Sequence, residues 1–374
     1  MAIVKSFFQK ITARDNYDEV IAYLAVEETK HAPSFDFEDA PAELQELITW
    51  IQKPRGEERS AWLNDYAAKS LDVEDGTAEV ILADKHLNDY RYLNRFFRSV
   101  NAKLKQDGYF VSAFDTAQKR KAYIFSKYPK FIAKIVYFFD FVWHRLFPKL
   151  TLTKRFYFWC TKKVKKVYPR PEVLGRLYYC GFDVVSERYV HDRYVVIAQK
   201  KRQPSTEPHT YGAFIRLNRV GKDGKIFPVY KFRTMYAYSE FLQSYINANN
   251  GLAKGGKFDD DYRVTEWGHI MRKLWIDEWP MFINLLKGQM KLVGVRPLSK
   301  HYFSLYKPEI QQLRIKAKPG MLPPYYVDMP ETLEEIQESE KRYTEAYLEK
   351  PFRTDWSYFW KIVSNIVIKR KRSK

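Results

Sequence analysis

The sequence predicts a mixed α/β protein in two parts, and three observations carry that expectation. Short apolar runs alternate with helical patterns between residues 76 and 200, as strands joined by crossover helices do. The stretch Lys200–Thr210 (KKRQPSTEPHT), broken by Pro204, Ser205 and Pro208, reads as a linker over 201–210. Beyond it a strand, a Gly-Lys-Asp-Gly turn and a second strand lead into helices, so 211–374 is expected to form the second part. The length of 374 residues suits this division, and 45% hydrophobic residues suffice for real cores. At 29% charged residues the chain does not read as a multi-span membrane protein. Two cysteines, Cys160 and Cys180, make neither a disulfide framework nor a four-cysteine zinc site, so a reducing compartment is expected. The opening twenty residues carry no export signal pattern.

Each element follows from local pattern. Residues 1–75 read as short helices, with starts near Asp15, Pro41 and Glu57; Pro41 suits a first helical turn, where its missing N–H is not needed. Ala78–Ala83 (AEVILA) is a buried strand, Asp89–Leu104 a helix, and Tyr109–Phe114 a second strand after the Asp107-Gly108 turn. Pro171 and Glu172 open a helix through Tyr179 that Gly181 closes, and strands follow near Phe182–Glu187 and Tyr194–Ala198. This order resembles the second half of a class I methyltransferase sheet, a Rossmann-like half-sheet. No GxGxG loop precedes Ala78, and no acidic ribose-binding position can be matched, so no S-adenosylmethionine is expected.

Charge is the third guide. The chain carries 64 Lys and Arg against 45 Asp and Glu, a net +19. Residues 117–170 hold 15 bases and one acid, Asp140, and the tail 369–374 holds five bases and none. The remainder is near neutral, so a polyanion is met at two places. Within the first stretch, Phe131–Phe147 (FIAKIVYFFDFVWHRLF) is too short and too charged to span a bilayer comfortably. At about 100° per residue, Lys130, Lys134 and Arg145 share one side of a helix, and aromatics such as Phe138, Phe141 and Trp143 cover the rest. That describes a helix in one leaflet, with its bases on anionic head groups. A buried core helix is the plain alternative. Single-stranded nucleic acid would want rings spaced by polar residues, so no nucleic-acid partner is expected.

The second part is denser in motif. Tyr211–Met235 (YGAFIRLNRVGKDGKIFPVYKFRTM) is followed by Asp261-Tyr262-Arg263, Met271-Arg272-Lys273 and Ile276-Asp277-Glu278-Trp279-Pro280. Then come Asn284-Leu285-Leu286-Lys287-Gly288, Leu292-Val293-Gly294-Val295-Arg296-Pro297 and Lys318-Pro319-Gly320. Val264–Trp275 reads as a helix whose apolar face is Val264, Trp267, Ile270, Met271 and Leu274. A second helix is expected to start with Asp277 as N-cap and to end at Lys287-Gly288. Carboxylates there would be kept ionised by the helix end, and one beside Arg and Lys suits attack on phosphorus. Lys231, Arg233, Arg263, Arg272, Lys273 and Arg296 are the cations available to neutralise phosphoryl oxygens. On spacing alone, the Asp-Glu pair merely capping a helix is the favoured reading.

Those motifs, in that order from about Tyr211 onward, resemble the bacterial sugar transferase family, the monotopic polyprenyl-phosphate phosphoglycosyltransferases. The resemblance implies a donor UDP-sugar, a polyprenyl (undecaprenyl) phosphate acceptor, release of UMP, and Mg²⁺ or Mn²⁺. It implies Asp277 as nucleophile on the β-phosphate and a metal contact, Glu278 as its helper, and Arg296-Pro297 as a nucleotide contact. Val295 stands where the family usually has a first Pro. The implied setting is the cytoplasmic face of a bacterial inner membrane, at the first membrane step of exopolysaccharide, O-antigen or other glycan synthesis; a homo-oligomer is compatible with it. Family members usually carry a re-entrant helix just before the "KFRTM" region. Here Tyr194–Thr210 fills that place, and 131–148 is the candidate counterpart. Two other functions are carried forward. One is a direct glycosyltransferase with a metal at Asp259–Asp261, which would release UDP; the other is a non-catalytic membrane-attached scaffold.

Overall fold

The computed structural model describes residues 40–52, 65–249 and 261–368, apart from 68, 70, 84, 151, 162–165, 191–192, 208, 210 and 331. Asp15, Glu57, Asp259, Asp260 and the basic tail 369–374 lie outside the described residues. The chain forms two compact units. The first is 1–212 with 235–263, and the second is 213–234 with 264–374. Residues 235–249 and 261–263, expected with the second part, thus group with the first.

The first unit is built on a four-stranded sheet of order β1-β2-β4-β3. β1 (Ala78–Leu82) and β2 (Leu104–Phe114) pair in parallel, joined by α1 (Leu93–Lys103). α1 buries Leu93, Phe97 and Val100, the i, i+4, i+7 stripe that a crossover helix needs. β3 (Phe182–Val190) and β4 (Arg193–Lys200) form a hairpin, and β4 runs antiparallel to β2. Both sheet faces are covered, and period-2 alternation sorts their residues. Val195 and Ile197 join Leu44, Leu47 and Val111 on one face, while Tyr194, Val196 and Ala198 join Phe97, Phe110 and Phe182 on the other. Gly181, just past α5 (Arg170–Tyr179), sits at φ +91° with its backbone so close to Arg202 that a Cβ would lie 2.1 Å from that carbonyl.

Between β2 and that helix stands the basic insertion: α2 (Ala117–Lys127), α3 (Lys130–Phe141), a π-helical turn over Val142–Leu146, and α4 (Lys154–Cys160). Its charges do not point where helical spacing alone put them. Asp140 is turned inward onto Arg120, at 2.6 Å from Nη2 and 2.8 Å from Nε, and that guanidinium also meets His144. Arg145 was expected beside Lys130 and Lys134. The π-helical turn carries it inward, over the rings of Phe141 and Tyr236, so it is not a head-group contact. Lys130, Lys134 and Phe138 are exposed as expected, whereas Phe141 and Trp143 are half-buried, the latter against Phe147 and Tyr157.

In the second unit β5 (Phe214–Val220) and β6 (Ile226–Phe232) pair antiparallel through a tight turn in which Asp223 and Gly224 both adopt positive φ. α6 (Glu266–Lys273) is capped by Thr265, whose hydroxyl accepts from Gly268 N. A 3₁₀ segment, Ile276–Met281, leads into α7 (Phe282–Leu286). β7 (Lys291–Val293) and β8 (Gly320–Leu322) form a short parallel pair. α8 (Leu333–Glu349) and α9 (Pro351–Val363) close over it, with Tyr343 buried and its hydroxyl donating to Asp355 at 2.6 Å and lying 3.0 Å from Val293 O. The apolar face expected on α6 is not its buried face. Trp267, Ile270 and Leu274 are exposed, and the helix packs instead through Gly268, where a Cβ would lie 2.1 Å from Thr234 O.

Candidate active site

Asp277 and Glu278 lie in the first turn of a helix as expected, but that turn is the 3₁₀ segment, and its N-cap is Trp275 instead of Asp277. Trp275 takes a left-handed conformation, φ 55°, which ends α6 and throws the chain into the 3₁₀ segment carrying both acids. Such a conformation is costly for a bulky residue and recurs at sites where geometry is over-determined. Glu278 N donates to Trp275 O, closing the turn. The N-cap Trp275 makes no side-chain capping bond, so its left-handed turn sets the entry to the acid pair.

β6 supplies the first cation. Lys231 Nζ lies 2.6 Å from Glu278 Oε1, both side chains being largely withdrawn from solvent. The register of β6 is locked to α7 through Asn284, which is fully buried. Its Oδ1 accepts from Tyr230 N at 3.1 Å and its Nδ2 donates to Pro228 O at 2.7 Å and to Gln289 Oε1 at 2.8 Å. Every polar atom of that amide is used, so Lys231 is held where Glu278 needs it.

Asp277 forms no ion pair among the described residues. Its carboxyl is raised above its ordinary value, chiefly by burial, with the neighbouring Glu278 charge adding to the rise. The cations Lys231 and Arg272 pull the other way without prevailing. The sequence expectation of a carboxylate held low by a helix end is therefore corrected: it is a half-desolvated, more basic carboxylate, raised by burial against the pull of two cations. Arg272 is oriented by its own bond, Nε to Thr234 Oγ1 at 2.9 Å, on the loop that receives Gly268.

A cleft of about 500 Å³ opens here, lined by Lys231, Glu278, Arg296 and Pro297 together with Arg219, Leu217, Val229, Met281, Tyr302 and Tyr326. It has an apolar and aromatic wall with a few charged groups, the usual make-up of a small-molecule site. Arg296 projects from the loop after β7. Arg314, buried and paired with Glu340, donates to the Arg296 carbonyl at 2.6 Å and fixes that loop. Of the sequence candidates, Lys231, Glu278, Arg296 and Pro297 meet in this cleft, and Arg272 reaches Asp277 electrostatically. Lys273 is exposed in the last turn of α6. Arg233 follows β6 and does not line the cleft; its N–H bonds to Ala213 O. Arg263 belongs to the first unit and is spent on Asp261 at 2.8 Å and Gln243 at 2.6 Å. Sequence reading missed Arg219, Asn284 and the strain at Trp275. Arg219 lies in the same strand-turn-strand run as Lys231 and could have been found by asking which β5 residues share a cleft wall.

The surroundings of the acid pair are apolar and exposed. Trp267, Ile270 and Leu274 precede it, and Trp279, Phe282, Ile283 and Leu286 follow, the last at 90% exposure. Such a grouping is unusual on a surface meant only for water.

Residues 202–369 match the family described as bacterial sugar transferase. The chain is similar to a galactosyl transferase, CpsE, of Streptococcus agalactiae serotype III, 40% identical over 110 residues, 29% of this chain and 24% of the relative. It is similar to the undecaprenyl-phosphate galactose phosphotransferase of Salmonella typhimurium, 40% identical over 108 residues, 28% of this chain and 22% of the relative. An Aeromonas hydrophila protein, UDP-N-acetylgalactosamine-undecaprenyl-phosphate N-acetylgalactosaminephosphotransferase, is 42% identical over 95 residues, 25% of this chain and 20% of the relative. The chain thus spans about a quarter or less of the length of these three relatives.

Proposed function

Because residues 202–369 belong to the bacterial sugar transferase family, we propose that the protein transfers a sugar 1-phosphate from a UDP-sugar to a polyprenyl phosphate. The observation that carries this reading is Asp277: a half-buried carboxylate, raised by burial, within the electrostatic reach of Lys231 and Arg272 and ion-paired with neither among the described residues. A carboxylate stripped of part of its water and not quenched by an ion pair is a better nucleophile. In the first step an Asp277 oxygen bonds to the β-phosphorus, and the bond from that phosphorus to the bridging oxygen breaks. UMP leaves with the electron pair, and an aspartyl-phosphosugar remains. In the second step an oxygen of the polyprenyl phosphate bonds to the same phosphorus and Asp277 departs, giving a polyprenyl diphosphate sugar. The sugar's own C–O bond is never touched, so its anomeric configuration is kept. Lys231, oriented by Glu278, and Arg272, oriented by Thr234, neutralise the phosphoryl oxygens in both steps.

A divalent cation fits this arrangement. Among the described residues no three ligating side chains cluster, so a cage made only of protein is absent. Mg²⁺ binds readily through one or two carboxylates with substrate phosphates and water, and Asp277, with Glu278 beside it, would supply the protein share. When bound, the ion supplies charge neutralisation on the diphosphate. No observation favours a metal at Asp259–Asp261, since Asp261 is held by Arg263.

The exposed apolar residues flanking the acid pair support an isoprenoid acceptor, and the exposed aromatics of α3 support attachment to an anionic membrane surface, at the cytoplasmic face where UDP-sugars are made. The test is nucleotide release from a panel of UDP-sugars with undecaprenyl phosphate in membranes. UMP together with a lipid-linked phosphosugar is the expected outcome; UDP release would overturn it.

A further inference from the structure

The cleft holds more positive charge than it neutralises. Its lining includes two carboxylates, Glu278 and Glu340. Lys231 occupies the first, and the second is paired with the buried Arg314. Arg219 and Arg296 line the same cleft and form no ion pair among the described residues. They are brought together by the backbone, since Val220 N donates to Leu298 O at 2.9 Å and so ties β5 beside the loop carrying Arg296. Among the described residues Arg219 Nη1 bonds to a peptide carbonyl, that of Asn218, at 3.1 Å. The guanidinium is half-buried, and its pKa is lowered by burial first and then by the charge of Arg296. Two like charges drawn into one apolar-walled cleft cost free energy unless an anion joins them.

We propose that Arg219 is a donor-binding residue, which with Arg296 clamps the diphosphate of the nucleotide sugar and then the phosphate of the departing UMP. The reading rests on the transferase function argued above and deepens it. A nucleoside diphosphate sugar brings two negative charges, which match the two unmatched guanidiniums. In the first step the β-phosphorus to bridging-oxygen bond breaks, and the electron pair moves onto the UMP oxygen. Charge therefore grows on the nucleotide side of the cleft, where planar guanidiniums can donate two N–H bonds each. Arg219 is thereby assigned to the leaving group, while Lys231 and Arg272 serve the phosphorus that Asp277 attacks.

The test compares Arg219→Ala and Arg219→Lys with the unaltered full-length chain in detergent. UMP affinity is measured by titration calorimetry, uridine by its inhibition of turnover, and folding by the thermal transition. For Arg219→Ala the expected result is a roughly 10- to 100-fold loss of UMP affinity, as for a charge-assisted hydrogen bond. Uridine inhibition should be unchanged, the transition unshifted, and Arg219→Lys should recover part of the loss. Unchanged UMP affinity in Arg219→Ala overturns the proposal, as does a parallel loss of uridine inhibition and thermal stability, which would make Arg219 structural. If the unaltered chain binds no uridine nucleotide, the clamp and the donor reading fall together. If it binds UMP through Arg219 yet releases none from UDP-sugars, the clamp stands and the transfer reading alone fails.

Discussion

Asp277 is the residue whose chemistry and stability pull in opposite directions. Its carboxyl is raised in the folded state, with burial the largest cause. A group of that kind holds its proton more tightly folded than unfolded. Any stability it contributes is present below the ordinary aspartate range and lost as pH rises through the raised value. At neutral pH the ionised side chain is thus a cost the fold carries. Asp277→Asn should therefore abolish lipid-linked product, below one thousandth of the normal rate, while its thermal transition stays equal or rises. Full activity in that variant would sink the nucleophile assignment, and a fall in its transition would contradict the burial argument. The pH dependence follows the same sign. The nucleophile must be ionised, so the acid limb of the first-step UMP burst should lie above the ordinary aspartate range, and activity should decline as pH falls through it. A limb at or below that range would mean that Lys231 and Arg272 outweigh burial.

At the level of elements, the site depends on how α6, α7 and β6 are pinned. Asn284 joins β6 to α7 with all its amide atoms used, so Asn284→Ala leaves Tyr230 N–H and Pro228 C=O buried without partners. A destabilisation of roughly 2–4 kcal/mol is expected in denaturant unfolding, along with looser positioning of Lys231. Gly268→Ala places a methyl group 2.1 Å from Thr234 O, which must push α6 away and take the Arg272 bond with it. Activity should fall more than tenfold at a stability cost of about 1–3 kcal/mol; normal turnover would show that Arg272 needs no such anchoring. These two positions also show what was legible in the sequence. The strands at 78–82 and 182–190, the helix at 170–179 and the 221–224 turn could be read because period and turn chemistry are local. The acid pair stood out in its motif. The run from Val264 to Leu274 was misjudged, because its helical period was right but its apolar side faces outward. Periodicity gives a face, and only a neighbour decides whether that face is inward. The left-handed Trp275 and the Asn284 brace depend on contacts tens of residues away or on strain, neither of which leaves a mark in composition.

For the molecule as a whole, the net charge of +19 gains meaning from where the single acid of residues 117–170 goes. Asp140 is turned in and bound to Arg120, so what α3 shows to its surroundings contains no negative charge. The helix is amphipathic the wrong way round for a water-facing surface. Ala133 and Asp140 face inward, while Phe131 at 76% exposure and Phe139 at 65% face out with Ile135 and Phe138, flanked by Lys130 and Lys134. α4 continues the pattern with Trp159 exposed at 77% beside Phe156 and Arg155. Rings that immerse in the acyl boundary while ammonium groups stay among anionic phosphates account for both features, and a buried core helix accounts for neither. No helix among the described residues is long and apolar enough to cross a bilayer. The triple variant Phe131→Asp, Phe138→Asp, Phe139→Asp should lose roughly tenfold or more in affinity for vesicles containing phosphatidylglycerol, since each immersed ring is worth about 1.5–3 kcal/mol at full burial. Vesicles of phosphatidylcholine alone should bind the unaltered protein weakly, and added salt should weaken binding to the anionic ones. Co-sedimentation that is indifferent to the three aspartates, or to deletion of residues 131–148, would remove α3 from the membrane contact.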